Sequence, residues 1–302
     1  MTVRLRRSEL ATPGSQEKMI LRAAASDADL VFLDLEDAVA PAEKERARRP
    51  VIEAVNGLDW GRKTRAVRIN GVDTAWAHDD IIDIVSGAGS VLDIIIIPKV
   101  KAPRDVWFVD TLLAQLEAKL GLTHRIGLEA LIEETEALAR VEEIAGCSSR
   151  LEALILGVGD LSASQGIRIG YESDPALRYP GDIWHYARSR MIVAARANGL
   201  DAIDGPYPNY RDDAGYRRDA TWGATLGCVG KWCIHPAQIA IANEVFSPTE
   251  KEIALARRMC EAYEAAQGGG EGAAGQSGVL VDAASVRIFE GVLERARLTG
   301  KA

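Results

Sequence analysis

Eight short apolar runs, each followed by a longer stretch with helical spacing, restrict this chain to very few folds. The runs lie near Ser8–Ala11, Leu30–Asp34, Thr64–Ile69, Asp93–Ile97, Ile126–Ile132, Ala153–Leu156, Asp201–Ile203 and Gly230–Ile234. Helical patterns fill the gaps at Ser15–Ala25, Ala42–Asn56, Ala75–Gly87, Pro103–Leu120, Thr135–Ala145, Ile183–Asn198, Tyr210–Leu226 and Pro236–Phe246. A strand covered by helices on both faces reads as a continuous apolar run, as the strands of parallel sheets do. Eight strand–helix alternations in 302 residues favour an α/β fold of the (β/α)8 TIM-barrel type over an open sheet. Gly121 and Gly199 supply stop signals after two of the helices.

The pattern changes after Phe246. Ser247-Pro248-Thr249-Glu250 reads as a helix start, and a helix over Glu250–Gln267 follows. The glycine-rich tract Gly268–Gly278 reads as a flexible connector. A short apolar strand, Val279–Val281, then leads through Asp282 into a helix over Ala283–Leu298. Residues 1–247 are thus expected to form the barrel. Residues 248–302 form an appendage too small to be stable alone, docking on the barrel or on a neighbouring subunit.

Net charge is −8, and acids and bases are interspersed, so no basic face offers itself to nucleic acid. No apolar run approaches the roughly 18 residues that a membrane span needs. The N-terminal MTVRLRRSEL has basic residues without an apolar stretch behind them, unlike a secretory signal. Cys147, Cys228, Cys233 and Cys260 show no paired spacing, and Cys228 and Cys233 read as small core residues. Reduced thiols and a cytoplasmic location are expected. His78, His124, His185 and His235 are assigned no catalytic role. Trp76, Trp107, Trp184, Trp222 and Trp232 are read as packing between helices and barrel.

Charges concentrate where strands end. The run VFLDLEDAV closes in Asp34, Glu36 and Asp37, IGLEALIEE closes in Glu133 and Glu134, and LEALILGVGD closes in Asp160. Barrel enzymes place ligands at this carboxyl end. Glu133 and Asp160, on consecutive strands, suit a hard dication that keeps positions open for water and substrate, as Mg2+ does, and Mn2+ fits equally. Without HxxH or HExxH, zinc is disfavoured. The same spacing also serves acids that cap helices or pair with arginines. Arg68 ends the third strand, where its planar fork suits a carboxylate or a developing enolate. An ion pair with Glu36 or Asp37 is its structural alternative. Gly157-x-Gly159 lacks the third glycine and the following helix pattern of a dinucleotide fingerprint, and reads instead as room for a ligand beside Asp160. Pro13-Gly14-Ser15, with Lys18 and Arg22 behind it, offers backbone N–H groups and cations to a phosphate.

Taken together, the chain resembles the citrate lyase β-subunit / malyl-CoA lyase family of metal-dependent CoA-ester lyases. The resemblance lies in SELATPGS (8–15), DLEDAVAP (34–41), VRING (67–71), IIPKV (96–100), LEALIEE (128–134), LEALILGVGD (151–160), AIDGPY (202–207) and GKWCIHPAQI (230–239). It implies a TIM barrel with a C-terminal helical lid that closes over a neighbouring subunit, in a homotrimer or homohexamer. It also implies retro-aldol cleavage of a 3-hydroxyacyl-CoA to an acyl-CoA and an α-keto acid. By position, Glu133 and Asp160 match the family's magnesium ligands, Arg68 the arginine that steadies enolate and keto acid, and Asp282 the lid's general acid/base. Glu36, Asp37 and Gly159 fall with the substrate contacts, and Ser15, Lys18 and Arg22 where the CoA nucleotide is received. Leu131, Val158 and Glu134 depart from the expected pattern. Two other activities remain open: a lyase subunit acting on a carrier-protein citryl thioester, and an aldolase for free hydroxy-keto acids. Relatives of the latter kind carry a histidine where this chain has Asp37.

Overall fold

The computed structural model describes residues 3–168, 179, 181–270, 272–276 and 279–301. Two compact units divide the chain, Met1–Asn243 and Glu244–Ala302.

The first unit is a closed barrel of eight parallel strands in sequence order, β1 to β8. They are β1 Ser8–Pro13, β2 Leu30–Asp34, β3 Thr64–Arg68, β4 Ile94–Ile97, β5 Gly127–Ile132, β6 Leu151–Leu156, β7 Asp201–Asp204 and β8 Gly230–Cys233. Helices follow as α1 Glu17–Ala24, α2 Lys44–Gly57, α3 Ala77–Ala88, α4 Pro103–Leu120, α5 Thr135–Ala139, α6 Val141–Ala145, α7 Val158–Gln165, α8 His185–Ala197, α9 Asp213–Leu226 and α10 Ala237–Val245. The eight expected strands are all present, and β1 pairs with β8 to close the cylinder. This is the (β/α)8 TIM barrel that the alternation implied.

Two helical expectations need correction. The pattern over Thr135–Ala145 is two short helices, broken at Arg140 (φ −120°, ψ 21°). A helix does follow Gly157, namely α7, although its sequence VGDLSASQ gives little helical signal. Only Val158, Leu161 and Ser162 of it are buried, and the Ser162 hydroxyl bonds back to the Val158 carbonyl at 2.6 Å.

Inside the cylinder, Leu30, Phe32, Ala66, Ile94, Ile96, Leu131, Ala153, Ile155, Ile203 and Trp232 form one apolar cluster. Trp232 therefore packs within the barrel rather than between barrel and helices, its ring 4.4 Å from that of Phe32. Below this layer the interior is charged. Arg6 donates to Glu129 Oε1 at 3.1 Å and to Glu152 Oε2 at 2.7 Å, and Trp232 Nε1 donates to Glu9 Oε2 at 2.9 Å. Outside β7 and β8, Lys231 and Arg188 both grip the fully buried Asp204, at 2.7 and 2.9 Å.

In the second unit, α11 Glu250–Gly268 opens on a capping box between Thr249 and Glu252 and packs against α12 Ala283–Leu298. The glycine-rich tract is not wholly a connector. Its residues Ala273–Gln276 form β9, antiparallel to β10 Val279–Asp282. Residues 271, 277 and 278 lie outside the described ones. Pairing supplies the order here, because Ala-Ala-Gly-Gln has little intrinsic strand preference. Among the described residues no helix is long and apolar enough to cross a membrane.

Candidate active site at the carboxyl rim of the barrel

Asp34 and Arg68 are register partners, the last residues of adjacent strands β2 and β3. That placement, and not the loop acids, decides what Arg68 binds. Its Nε and Nη2 donate to the two oxygens of Asp34 at 2.8 and 2.6 Å, a bidentate pair. Glu36 lies 3.1 Å from Nη1, and Asp37 is more distant at 3.9 Å. The expected pairing with Glu36 or Asp37 is thus subordinate to the one with Asp34. Asp34 also accepts from the Glu36 and Ala38 N–H groups, which turns the chain sharply after β2. The guanidinium stacks above Trp232 and Phe32, 5.4 and 5.9 Å from their ring centres. Apolar core below and carboxylates around it fix the plane of Arg68.

The ends of β5 and β6 bring the expected metal pair together. Glu133 directly follows β5 and is 2% exposed. Its Oε1 accepts the Lys99 backbone N–H at 2.8 Å. Burial pushes its carboxyl up to about 8, opposed by that N–H and reinforced by the nearby charge of Asp160. Asp160 stands in the first turn of α7, just beyond β6. Between them, Gly157 leaves the necessary room: a Cβ there would lie 2.6 Å from Glu133 Oε2. Gly159, by contrast, faces open space, so the tight steric demand falls on Gly157.

Lys99 joins the two halves of the rim. It follows β4 and is the one non-glycine residue with positive φ (50°) among those described. Its ammonium pairs with Glu36, with Asp37 at 3.1 Å, and approaches Asp160 at 3.9 Å. Burial raises the Glu36 carboxyl, against the pull of Arg68 and Lys99. At Asp37 burial is outweighed by Glu36, Arg68 and Lys99, which hold the carboxyl below its usual range.

A dication fits this arrangement. Glu133 is a buried carboxylate disfavoured by the adjacent charge of Asp160, and a cation between them relieves both costs. Among the described residues no group of three or more His, Cys, Asp or Glu side chains is arranged to hold a metal. Two carboxylates alone suit Mg2+, which keeps several water or substrate oxygens.

Ser15, Lys18 and Arg22 are exposed near or on α1, which begins at Glu17 and leaves Ser15 outside the helix. Gly14 packs tightly, its N–H donating to the Asp34 carbonyl at 2.8 Å. Asp282 lies in the second unit as the N-cap of α12, accepting from Ala284 N, Ser285 N and Ser285 Oγ at 3.1, 2.8 and 2.9 Å. Those bonds hold its carboxyl below the ordinary aspartate value. Cys228 and Cys233 are fully buried thiols, as their core assignment requires.

Residues 7–236 match the HpcH/HpaI aldolase/citrate lyase family. The chain belongs to that family, one of carbon–carbon lyases. It is 44% identical over 301 residues to the L-malyl-CoA/beta-methylmalyl-CoA lyase of Cereibacter sphaeroides (strain ATCC 17025 / ATH 2.4.3), covering 97% of this chain and 95% of that one. It is 37% identical over 293 residues to the malyl-CoA/beta-methylmalyl-CoA/citramalyl-CoA lyase of Chloroflexus aurantiacus, covering 92% and 83%. Among solved structures, a citrate lyase from Burkholderia xenovorans superposes with a TM-score of 0.87 at 26% identity, covering 99% of this chain and 94% of that one. The CitE protein of Mycobacterium tuberculosis, solved with magnesium, acetoacetate and coenzyme A, superposes at 0.76 with 28% identity, covering 96% and 97%. The resemblance drawn from the motifs is therefore correct at the level of family and fold.

Asp34 and Lys99 belong to this lyase's rim and were not among its expected site residues, while Gly157, read as room for a ligand, makes room for Glu133. Asp34 had a signal, since a strand-final acid beside a strand-final arginine forms a pair whenever the strands are in register. Lys99 had none, because a lysine two residues past a strand is ordinary surface composition.

Proposed function

We propose that this lyase cleaves, or in reverse forms, a 3-hydroxyacyl-CoA such as L-malyl-CoA, β-methylmalyl-CoA or citramalyl-CoA, yielding an acyl-CoA and glyoxylate or pyruvate. The observation that carries the reading is the meeting of Glu133 and Asp160 beside a guanidinium locked by Asp34. Glu133 and Asp160 would hold Mg2+ (or Mn2+), which when bound would polarise the substrate hydroxyl. Arg68, already oriented by Asp34 and Glu36, needs no reorganisation to stabilise the enolate left by C–C cleavage. Asp282 of a neighbouring copy is the proposed proton donor to that enolate, its lid (residues 248–302) closing over the barrel rim in a homotrimer or homohexamer. Ser15 just before α1, Lys18 in its first turn and Arg22 in its last turn are the proposed contacts for the CoA phosphates. Glu36, Asp37 and Gly159 line the substrate's side of the rim. A cytoplasmic location accords with acyl-CoA and keto-acid partners. The identity to malyl-CoA lyases across the whole chain favours a CoA ester over a carrier-protein thioester, and Asp37 in place of histidine disfavours a free-acid aldolase.

Turnover of malyl-CoA, citramalyl-CoA and free citramalate, each with Mg2+ and with EDTA, tests the reading. Mg2+-dependent release of keto acid from a CoA ester is expected. Cleavage of citramalate alone, or full activity in EDTA, overturns it. Glu133→Gln should weaken Mg2+ binding, and an unchanged affinity by calorimetry removes Glu133 from the ligand set.

A further inference from the structure

Five acids crowd the rim: Asp34, Glu36, Asp37, Glu133 and Asp160. A dication entering such a ring has several carboxylate pairs to choose from, and only one choice sets it beside Arg68 for chemistry. Arg68 removes Asp34 from the competition through the bidentate pair and partly neutralises Glu36. Lys44 does not help with the rest, since its ammonium is spent on the Leu35 and Glu36 carbonyls and on Asn70 Oδ1. Among the described residues, the further cation paired with these acids is Lys99, which bridges Glu36 and Asp37 and stops 3.9 Å from Asp160. Its backbone sits in the left-handed region (φ 50°), a conformation that costs a side-chain-bearing residue energy and persists where the surroundings impose it. The N–H so turned is the one that binds Glu133 Oε1. One residue therefore touches every rim acid except Asp34, by its ammonium or its amide.

We propose that Lys99 is the positioning residue of the metal site: its ammonium is a resident counterion for Glu36 and Asp37, so that an incoming dication finds only Glu133 and Asp160, while its amide holds Glu133 in place. This rests on the reading of Glu133 and Asp160 as the Mg2+ pair. The ammonium also repels the dication it directs. The site thus gives up metal affinity for metal placement, and removing the charge must strengthen binding.

The test is calorimetric titration of Mg2+ into the chelator-treated full-length protein, as wild type, Lys99→Met and Lys99→Arg, with circular dichroism melts to verify folding. Lys99→Met keeps the length of the side chain and loses its charge. It should bind Mg2+ at least tenfold more tightly, and Lys99→Arg should stay within threefold of wild type. A purely structural role would weaken binding or leave it alone. A Lys99→Met protein that binds Mg2+ less than tenfold more tightly than wild type overturns the inference; if that variant fails to fold, Lys99→Gln is held to the same criterion. A wild-type protein that binds no Mg2+ refutes the proposed function and this inference with it, whereas normal wild-type binding with an unshifted variant refutes the inference alone.

Discussion

Replacing Gly157 by alanine sets a methyl group hard against Glu133 Cβ, 2.6 Å from its Oε2 and 3.2 Å from its Cδ. The backbone tolerates the change, because Gly157 has φ −93° and ψ 79°, on the negative-φ side open to L residues. Only the collision acts. Rotation of the Glu133 side chain cannot relieve a clash at its Cβ, so the Gly157 backbone and the end of β5 must part, which displaces the Glu133 carboxylate from the Lys99 N–H. A hydrogen bond to a charged group contributes about 1.5–3 kcal/mol, and overpacking a rigid site costs about 1–3 kcal/mol. If the first of these alone appears in metal binding, Mg2+ affinity falls by about 10- to 150-fold, at about 1.4 kcal/mol per tenfold. Calorimetry with Mg2+ on Gly157→Ala measures it, and Gly159→Ala is the internal control. A Cβ at Gly159 meets nothing within 4 Å, so that variant should keep its metal affinity within twofold. A Gly157→Ala protein that binds Mg2+ as tightly as wild type would refute the claim that this glycine holds open the place of Glu133.

Arg68→Lys should lower kcat about 10²- to 10³-fold through loss of the planar fork. It is a cleaner probe than Arg68→Ala, which would strand the buried Asp34 and cost stability besides; near-normal kcat in the lysine variant would remove Arg68 from the chemistry. Burial raises the Glu129 carboxyl from 4.5 to about 7, despite Arg6 beside it. The folded chain then holds more protons than the unfolded one between those values, so this group's contribution to stability declines as pH rises from 4.5 to 7 and levels off above. Urea midpoints across that range should show a falling trend that Glu129→Gln flattens, and an identical trend in the variant would contradict the assignment. Asp204→Asn removes the fully buried one of two anions that Lys231 and Arg188 share, Asp219 being the other at 2.7 and 3.1 Å, and should destabilise the barrel by about 3–5 kcal/mol. A loss under about 1 kcal/mol in chemical denaturation would show that Asp219, 2.7 Å from Lys231, suffices as partner.

Much of this molecule is legible in its amino-acid sequence. Ile94–Ile97 and Leu151–Leu156 are buried at every position, and such runs have no other stable use in a chain of alternating strands and helices. Arg68, Glu133 and Asp160 were legible for the same reason: charge that interrupts or closes an apolar run must be paired or functional. The helix α7 was not, because Gly, Asp and Ser disguise it and its order depends on packing over β6. Strand β9 was not, because only β10 makes it a strand. The charged barrel floor was hidden in plain view: Glu9, Glu129 and Glu152 alternate within strands, and which acids meet Arg6 depends on the shear of the closed cylinder.

The amino-acid sequence by itself determined the (β/α)8 barrel and the family, since hydrophobic periodicity and motif order are properties of the chain alone. Only the tertiary structure decided that Arg68 answers to Asp34, that Gly157 rather than Gly159 makes room for Glu133, and that Lys99 ties the rim together. These are contacts between residues 24 to 63 positions apart. Strand register and one left-handed backbone turn create them, and neither quantity is written in any local stretch of residues.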